Sequence, residues 1–208
     1  MMKFYYGIGT CSVASHIALE EAGAEYEAIR VDIRNNQQQS PEYLALNPKG
    51  RVPTLITERG ILSETPAILA YIAQTHRAAE LAPIDDPFAL GEVQAFNSYL
   101  CSTVHVGHAH GARGARWADD ASAIDIMKAK VARNMSDYFA VIENRMFRAP
   151  WVMGERFSIA DPYLFTMSSW LERDGVDIKK FPRVADHFER MKARPAVAKV
   201  MAVMNAKA

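Results

Sequence analysis

Cysteine is scarce in this chain: only Cys11 and Cys101 occur among 208 residues. Two thiols are too few for a disulfide framework or an ordinary structural zinc site, so a reducing compartment is the simple expectation. Neither sign of charge is in excess, since 24 Lys plus Arg balance 24 Asp plus Glu. That balance removes the bulk electrostatic reason to expect nucleic acid or an anionic membrane as partner. No uninterrupted apolar run is long enough to span a bilayer, and the first residues lack a signal-peptide layout. A cytoplasmic location without membrane attachment is therefore expected. Gly7-x-Gly9 lacks the third glycine and the following acidic residue of a dinucleotide fingerprint.

What is present is a foldable chain, 50% hydrophobic, which argues against disorder. Phe4–Tyr6 reads as a strand, Gly7 to Thr10 as a turn, and Ser12–Ala22 as a helix with Val13, Ile17 and Leu19 as its apolar members. Tyr26–Ile33 reads as a second strand. Ser40 can cap a short helix that Pro41 starts and Leu46 ends. Asn47-Pro-Lys-Gly is a turn, Thr54–Thr57 a strand, Glu58-Arg-Gly a hairpin turn, and Ile61–Leu62 the returning strand. Thr65 as cap and Pro66 in the first turn open a third helix. Residues up to 77 thus form a small α/β domain with a mixed sheet, and the change of character over Thr75–Pro87 marks a boundary. Everything beyond reads helical: a helix from Phe88 to about Ala109, a long amphipathic one over Ile124–Phe147 capped by Asp120, and later ones opened by Ser158, Pro182 and Pro195. Ser158 followed by Asp161 is a capping box.

Several groups invite a chemical reading. Cys11 and Ser12 stand where a strand stops and a helix starts, and open backbone amides and the positive helix end favour a thiolate there. Either side chain can face a small thiol ligand: Cys11 by forming a mixed disulfide, Ser12 by donating a hydrogen bond or merely capping the helix. Glu64 can receive an ammonium group, and Thr65 with the amides of its helix can receive a carboxylate, a pairing suited to an α-amino acid end. His105, His108 and His110 cluster, but no carboxylate or thiol is spaced to complete a metal site, so no metal is expected; His105 is the best placed to reach into a cleft.

Taken together, four motifs resemble the cytosolic glutathione transferases, most closely the bacterial beta class. They are Lys3-Phe-Tyr-Tyr with Cys11-Ser-Val-Ala-Ser-His, Asn47-Pro-Lys-Gly-Arg-Val-Pro, Ser63-Glu-Thr-Pro-Ala-Ile with Tyr71, and Gly154-Glu-Arg-Phe-Ser-Ile-Ala-Asp with Tyr163. The resemblance spans nearly the whole chain. It implies a thioredoxin-like glutathione-binding domain over residues 1–78, and an all-helical domain over 87–208 that contributes the wall of the electrophile site. It also implies a homodimer and glutathione as co-substrate. Cys11 would lie beside the glutathione sulfur with Tyr6 near it. Val52, before a cis Pro53, would offer its backbone to the cysteinyl part. Glu64 and Thr65 would hold the γ-glutamyl end. Ser98 takes the place of an asparagine of the family's site, and His105 would reach the sulfur region. Beta-class relatives commonly carry Lys-Pro-Gly-Ala before the cysteine, where this chain has Gly7-Ile-Gly-Thr, so a looser turn is expected.

The leading expectation is conjugation of the glutathione thiolate to small hydrophobic electrophiles. Two others stand beside it: glutathione-dependent thiol-disulfide exchange or peroxide reduction through Cys11, and a non-catalytic protein that binds glutathione or hydrophobic ligands.

Overall fold

Phe4 and Tyr6 alternate with more exposed neighbours along strand β1 (Met2–Tyr6), which buries one face. Helix α1 (Ser12–Glu21) carries the chain across to β2 (Tyr26–Arg30), which pairs parallel with β1. Parallel neighbours need such a crossover. Strand β2 ends earlier than its apolar pattern suggests because Asp32 turns the chain: its Oδ1 accepts from the amides of Arg34 and Asn35 at 3.1 and 3.3 Å. Helix α2 (Pro41–Leu46) opens as expected, with the Ser40 hydroxyl accepting from Tyr43 N–H. Strands β3 (Thr54–Thr57) and β4 (Gly60–Ser63) form a hairpin, and β3 runs antiparallel to β1, giving the order β2-β1-β3-β4. Helix α3 (Thr65–Thr75) follows. Its cap position is held by Glu64, not by Thr65, and Glu64 makes no side-chain cap bond.

The computed structural model describes residues 1–205; residues 206–208, the end of the expected helical stretch, lie outside the described residues. The remaining helices are α4 (Pro87–Tyr99), α5 (His105–Ala112), α6 (Ala121–Ala129), α7 (Val131–Val141), α8 (Ala160–Ser168), α9 (Pro182–Lys192) and α10 (Pro195–Asn205). Both long helices read from the sequence are therefore interrupted. Each carries a π turn, Leu100–Val104 and Ile142–Met146. In each, a polar side chain bonds to the carbonyl four residues back, Ser102 to Ser98 and Asn144 to Ala140, both at 2.8 Å. Such back-bonding competes with the regular ladder and widens or bends the helix. Gly107 serves close packing: a Cβ there would lie 2.7 Å from the Tyr138 ring. Among the described residues no helix is long and apolar enough to cross a membrane.

By contact the chain forms two compact units, Met1–Gly91 with the segment from Met191 onward, and Glu92–Arg190. In the first, α10 packs on α1. Arg194 clasps Glu21 with two bonds of 2.5 and 2.7 Å, and Lys199 reaches Glu20 at 2.7 Å. With the sheet, α3 and α10 around it, α1 is buried over every residue from Ser12 to Leu19. One of these residues is His16, ringed by Phe4, Tyr6 and Tyr26 at centroid distances of 5.3, 5.1 and 5.7 Å. Its Nδ1 has no hydrogen-bond partner. Burial is the chief cause that lowers its pKa from 6.5 to about 4, with Glu20 opposing and Lys199 assisting.

In the second unit the capping box expected at Ser158 is present and extended. Asp161 is fully buried. Its Oδ2 accepts from Ser158 N–H at 2.6 Å and from the Ser158 hydroxyl at 3.2 Å. Its Oδ1 accepts from Val152 N–H at 2.8 Å and from His187 Nε2 at 3.0 Å. The carboxylate thus fastens the start of α8 to the preceding turn and to α9.

Two outcomes follow for stability. Asp161→Ala strands buried donors and should cost about 3–5 kcal/mol, whereas Ser158→Ala should cost about 1 kcal/mol; equal urea midpoints for the two variants would contradict this ranking. For His16, the unfolded chain takes up a proton near 6.5 while the folded one resists it until about 4. Stability is therefore undiminished above pH 6.5 and falls as the pH drops towards 4, by about 3 kcal/mol in all. His16→Leu should remove that part of the slope when unfolding is compared at pH 7 and pH 4.5.

Candidate active site

Cys11 occupies the cap position of α1, half-buried, and its Sγ–H donates to the Val52 carbonyl at 3.4 Å. The glycine turn before it is not loose. Gly7 N–H donates to the Ser12 hydroxyl at 3.2 Å, and the Thr10 hydroxyl donates to Gly7 O at 2.9 Å. The Thr10 and Ser12 hydroxyls are 2.7 Å apart, and Ser12 N–H donates back to Thr10 Oγ1 at 3.3 Å. Thr10 therefore does the stapling that the sequence left unassigned. Ser12 is fully buried, with its hydroxyl engaged in this turn, and it makes no cap bond. Tyr6 is also buried, its ring lying against Phe4 and His16 on the helix-facing side of the sheet.

The segment facing Cys11 is held from beneath. Tyr43 Oη donates to Arg51 O at 2.8 Å, and Asn47 Nδ2 donates to the same oxygen at 2.7 Å. Both also reach Thr54 Oγ1, at 2.9 and 3.1 Å. Tyr43 and Asn47 are buried, so these bonds are sheltered from water. They fix the approach to Val52 and Pro53, whose peptide bond is cis, as the resemblance implies. A second cis bond joins Ala149 and Pro150, with no sequence expectation attached to it.

Glu64 has φ 74°, a left-handed backbone that a residue with a Cβ adopts at a cost. Such strain is characteristically kept where a group must be aimed. Its carboxylate meets Lys49 Nζ at 2.5 Å, and the same ammonium donates to Ser63 Oγ at 2.7 Å. In the sequence Lys49 belongs only to a turn and to the Asn47-Pro-Lys-Gly-Arg-Val-Pro motif. Its partnership with Glu64, fifteen positions on, leaves no local pattern. Thr65 is buried at the first position of α3, where the amides of the opening turn have no helical acceptor.

In the helical unit Ser98 is exposed and lends its carbonyl to Ser102. The adjacent Asn97 is fully buried, with neither amide atom hydrogen-bonded. The His105 ring lies 5.1 Å from that of Trp170. His108 is bound through Nδ1 to Asp174, and His110 rests edge-on against Trp117. His105 and His108 thus share Trp170, and His110 has a different ring neighbour. Among the described residues no group of three or more His, Cys, Asp or Glu is placed to hold a metal ion.

Comparison with known proteins gives this geometry its context. The family description "Glutathione S-transferase, N-terminal domain" matches residues 2–74, and "Glutathione S-transferase, C-terminal domain" matches residues 114–195. Glutathione S-transferase GstA of Escherichia coli O157:H7 is 30% identical over 199 residues, covering 94% of this chain and 95% of that one. A glutathione transferase homologue from Sulfitobacter, solved with bound glutathione, superimposes with a TM-score of 0.95 at 44% identity, covering 98% of both chains. A bacterial beta-class glutathione S-transferase of Sphingomonas chungbukensis does so with a TM-score of 0.85 at 29% identity, again over 98% of both. A sheet domain with a cysteine at its first helix, a helical domain after it, and likeness along almost the entire length place the chain in the glutathione S-transferase family.

Proposed function

We propose that this chain is a beta-class glutathione transferase that works as a cytoplasmic homodimer and joins the glutathione sulfur to small hydrophobic electrophiles. Membership of the family makes it a glutathione-dependent transferase. The finer reading is supported by the likeness to the Sphingomonas enzyme, named as beta class, and by the cysteine at the start of α1. The balanced charge supplies no bulk electrostatic attraction to nucleic acid.

The observation that carries the site is the Lys49–Glu64 pair. A carboxylate aimed by a strained backbone already holds an ammonium group there, so it can hold the α-ammonium of a γ-glutamyl group once Lys49 moves aside. Thr65 and the amides at the start of α3 receive the α-carboxylate. The backbone of Val52 takes the cysteinyl part, and Cys11, within 3.4 Å of that backbone, lies beside the sulfur. Tyr6 and Ser12 support this corner from below: Ser12 through the turn it closes, Tyr6 through the core under it. Residues 1–78 serve glutathione and the helical stretch from 87 serves the electrophile side, except the segment from Met191 onward, which packs with the first unit. For Ser98 and His105 the reading rests on family membership alone.

Chemically, the site must hold the glutathione thiol as thiolate and exclude competing water. Helix amides and hydrogen bonds favour the anion. The thiolate then attacks an electrophilic carbon, the C–S bond forms, and the leaving group departs with its electron pair. The half-buried Cys11 thiol favours a second reading, thiol-disulfide exchange. Its thiolate would attack a glutathione-containing disulfide, forming a Cys11–glutathione disulfide and releasing the partner thiol; the thiolate of a second glutathione would then attack that disulfide, leaving as glutathione disulfide and freeing Cys11.

Calorimetry tests the site directly: Glu64→Gln should weaken glutathione binding about 10–100-fold, while Lys49→Met should not weaken it. Loss of affinity in Lys49→Met alone would reverse these roles. Cys11→Ser should lose disulfide exchange and keep conjugation to an electrophilic aromatic halide. Parallel loss of both activities would remove the distinction between the two readings.

A further inference from the structure

His105 and His108 are three residues apart on α5, so both rings leave one face of the helix. Both meet the same indole. His108 stacks on Trp170 at 4.2 Å between centroids and 22° between planes, and His105 lies 5.1 Å from it at 53°. His108 is locked in turn, since its Nδ1–H is 2.8 Å from each Asp174 oxygen. The two side chains of that pair are only 9% and 5% exposed. Asp174 N–H donates to the carbonyls of Trp170 and Leu171, both at 3.0 Å, so carboxylate and indole belong to one turn. The contacts close a circuit: the turn sets Asp174, Asp174 sets His108, His108 sets the indole, and His105 leans on the indole.

A buried histidine–carboxylate pair is a costly way to fill space, because two apolar side chains of similar volume would stabilise as well or better. We propose that His108 and Asp174 are positioning residues that hold the Trp170 indole and, through it, orient the His105 imidazole. The catalytic consequence rests on the role given to His105 above; the orientation itself exists without substrate.

Histidine-selective NMR on the full chain without glutathione reads the orientation. The His105 Hε1 signal, assigned by its loss in His105→Gln, should carry the ring-current shift of the neighbouring indole. Asp174→Asn should move it towards the position of an isolated imidazole. The double replacement His108→Leu with Asp174→Leu should do the same while leaving no unpaired charge that could prevent folding. In both variants kcat with glutathione and an aromatic halide should fall about tenfold, with KM for glutathione unchanged within about twofold. An Hε1 signal that stays in place in both variants overturns the proposal, as does, where His105→Gln itself lowers kcat, a shifted signal with unchanged kcat. If His105→Gln itself leaves kcat intact, the role assigned to His105 at the sulfur fails, and the NMR shift still decides whether His108 and Asp174 orient it.

Discussion

Four hydrogen bonds converge on one buried carboxylate, that of Asp161, and the helical unit is organised by that convergence. A charge cannot be taken out of water unless its lone pairs are met. Meeting them here requires the turn at Val152, the cap at Ser158 and the His187 ring on α9 to arrive together. The carboxylate therefore specifies geometry more than it adds stability. Glu143 repeats the device nearby: its oxygens accept from the amides of Arg183 and Val184, both at 3.0 Å, and so tie the second π turn to the start of α9.

The first unit solves a different problem. Its central helix is enclosed on all sides and yet carries serines and a histidine. Ser12 is satisfied within the glycine turn. His16 is instead kept neutral by its aromatic surroundings. Enclosing Ser12 also bears on which side chain faces a ligand. Its hydroxyl is fully buried and occupied, whereas the neighbouring thiol is half-buried and directed at Val52.

Elements whose signals are local were legible in the sequence. Ser40 with Pro41, Asp120, the Thr54–Thr57 strand and the Ser158–Asp161 box all act within a few residues, so pattern and structure coincide. Distant partners were not legible. The Lys49–Glu64 pair, the Tyr43 and Asn47 supports under Arg51, and the burial of α1 by α10 join positions that no periodicity links. The π turns escaped because Ser102 and Asn144 resemble any exposed polar residues until their side chains are seen to bond backwards. Glu64 stands out in the sequence for its charge, but its left-handed backbone, which displaces Thr65 from the cap, has no signature in a Ser-Glu-Thr-Pro string. Family likeness assigns Cys11 and Val52 to the same end of a ligand, but their direct contact is a finding of the structure, since spacing alone does not bring positions 11 and 52 together.

The clasp between Arg194 and Glu21 joins residues near opposite ends of the chain. During synthesis the sheet and its first helices leave the ribosome long before the segment that covers them. The first unit cannot finish its core until Met191 and the residues after it have emerged. The first unit is thus closed only after the helical unit that interrupts it has been made, and until then the flank of α1 that α10 covers stays bare.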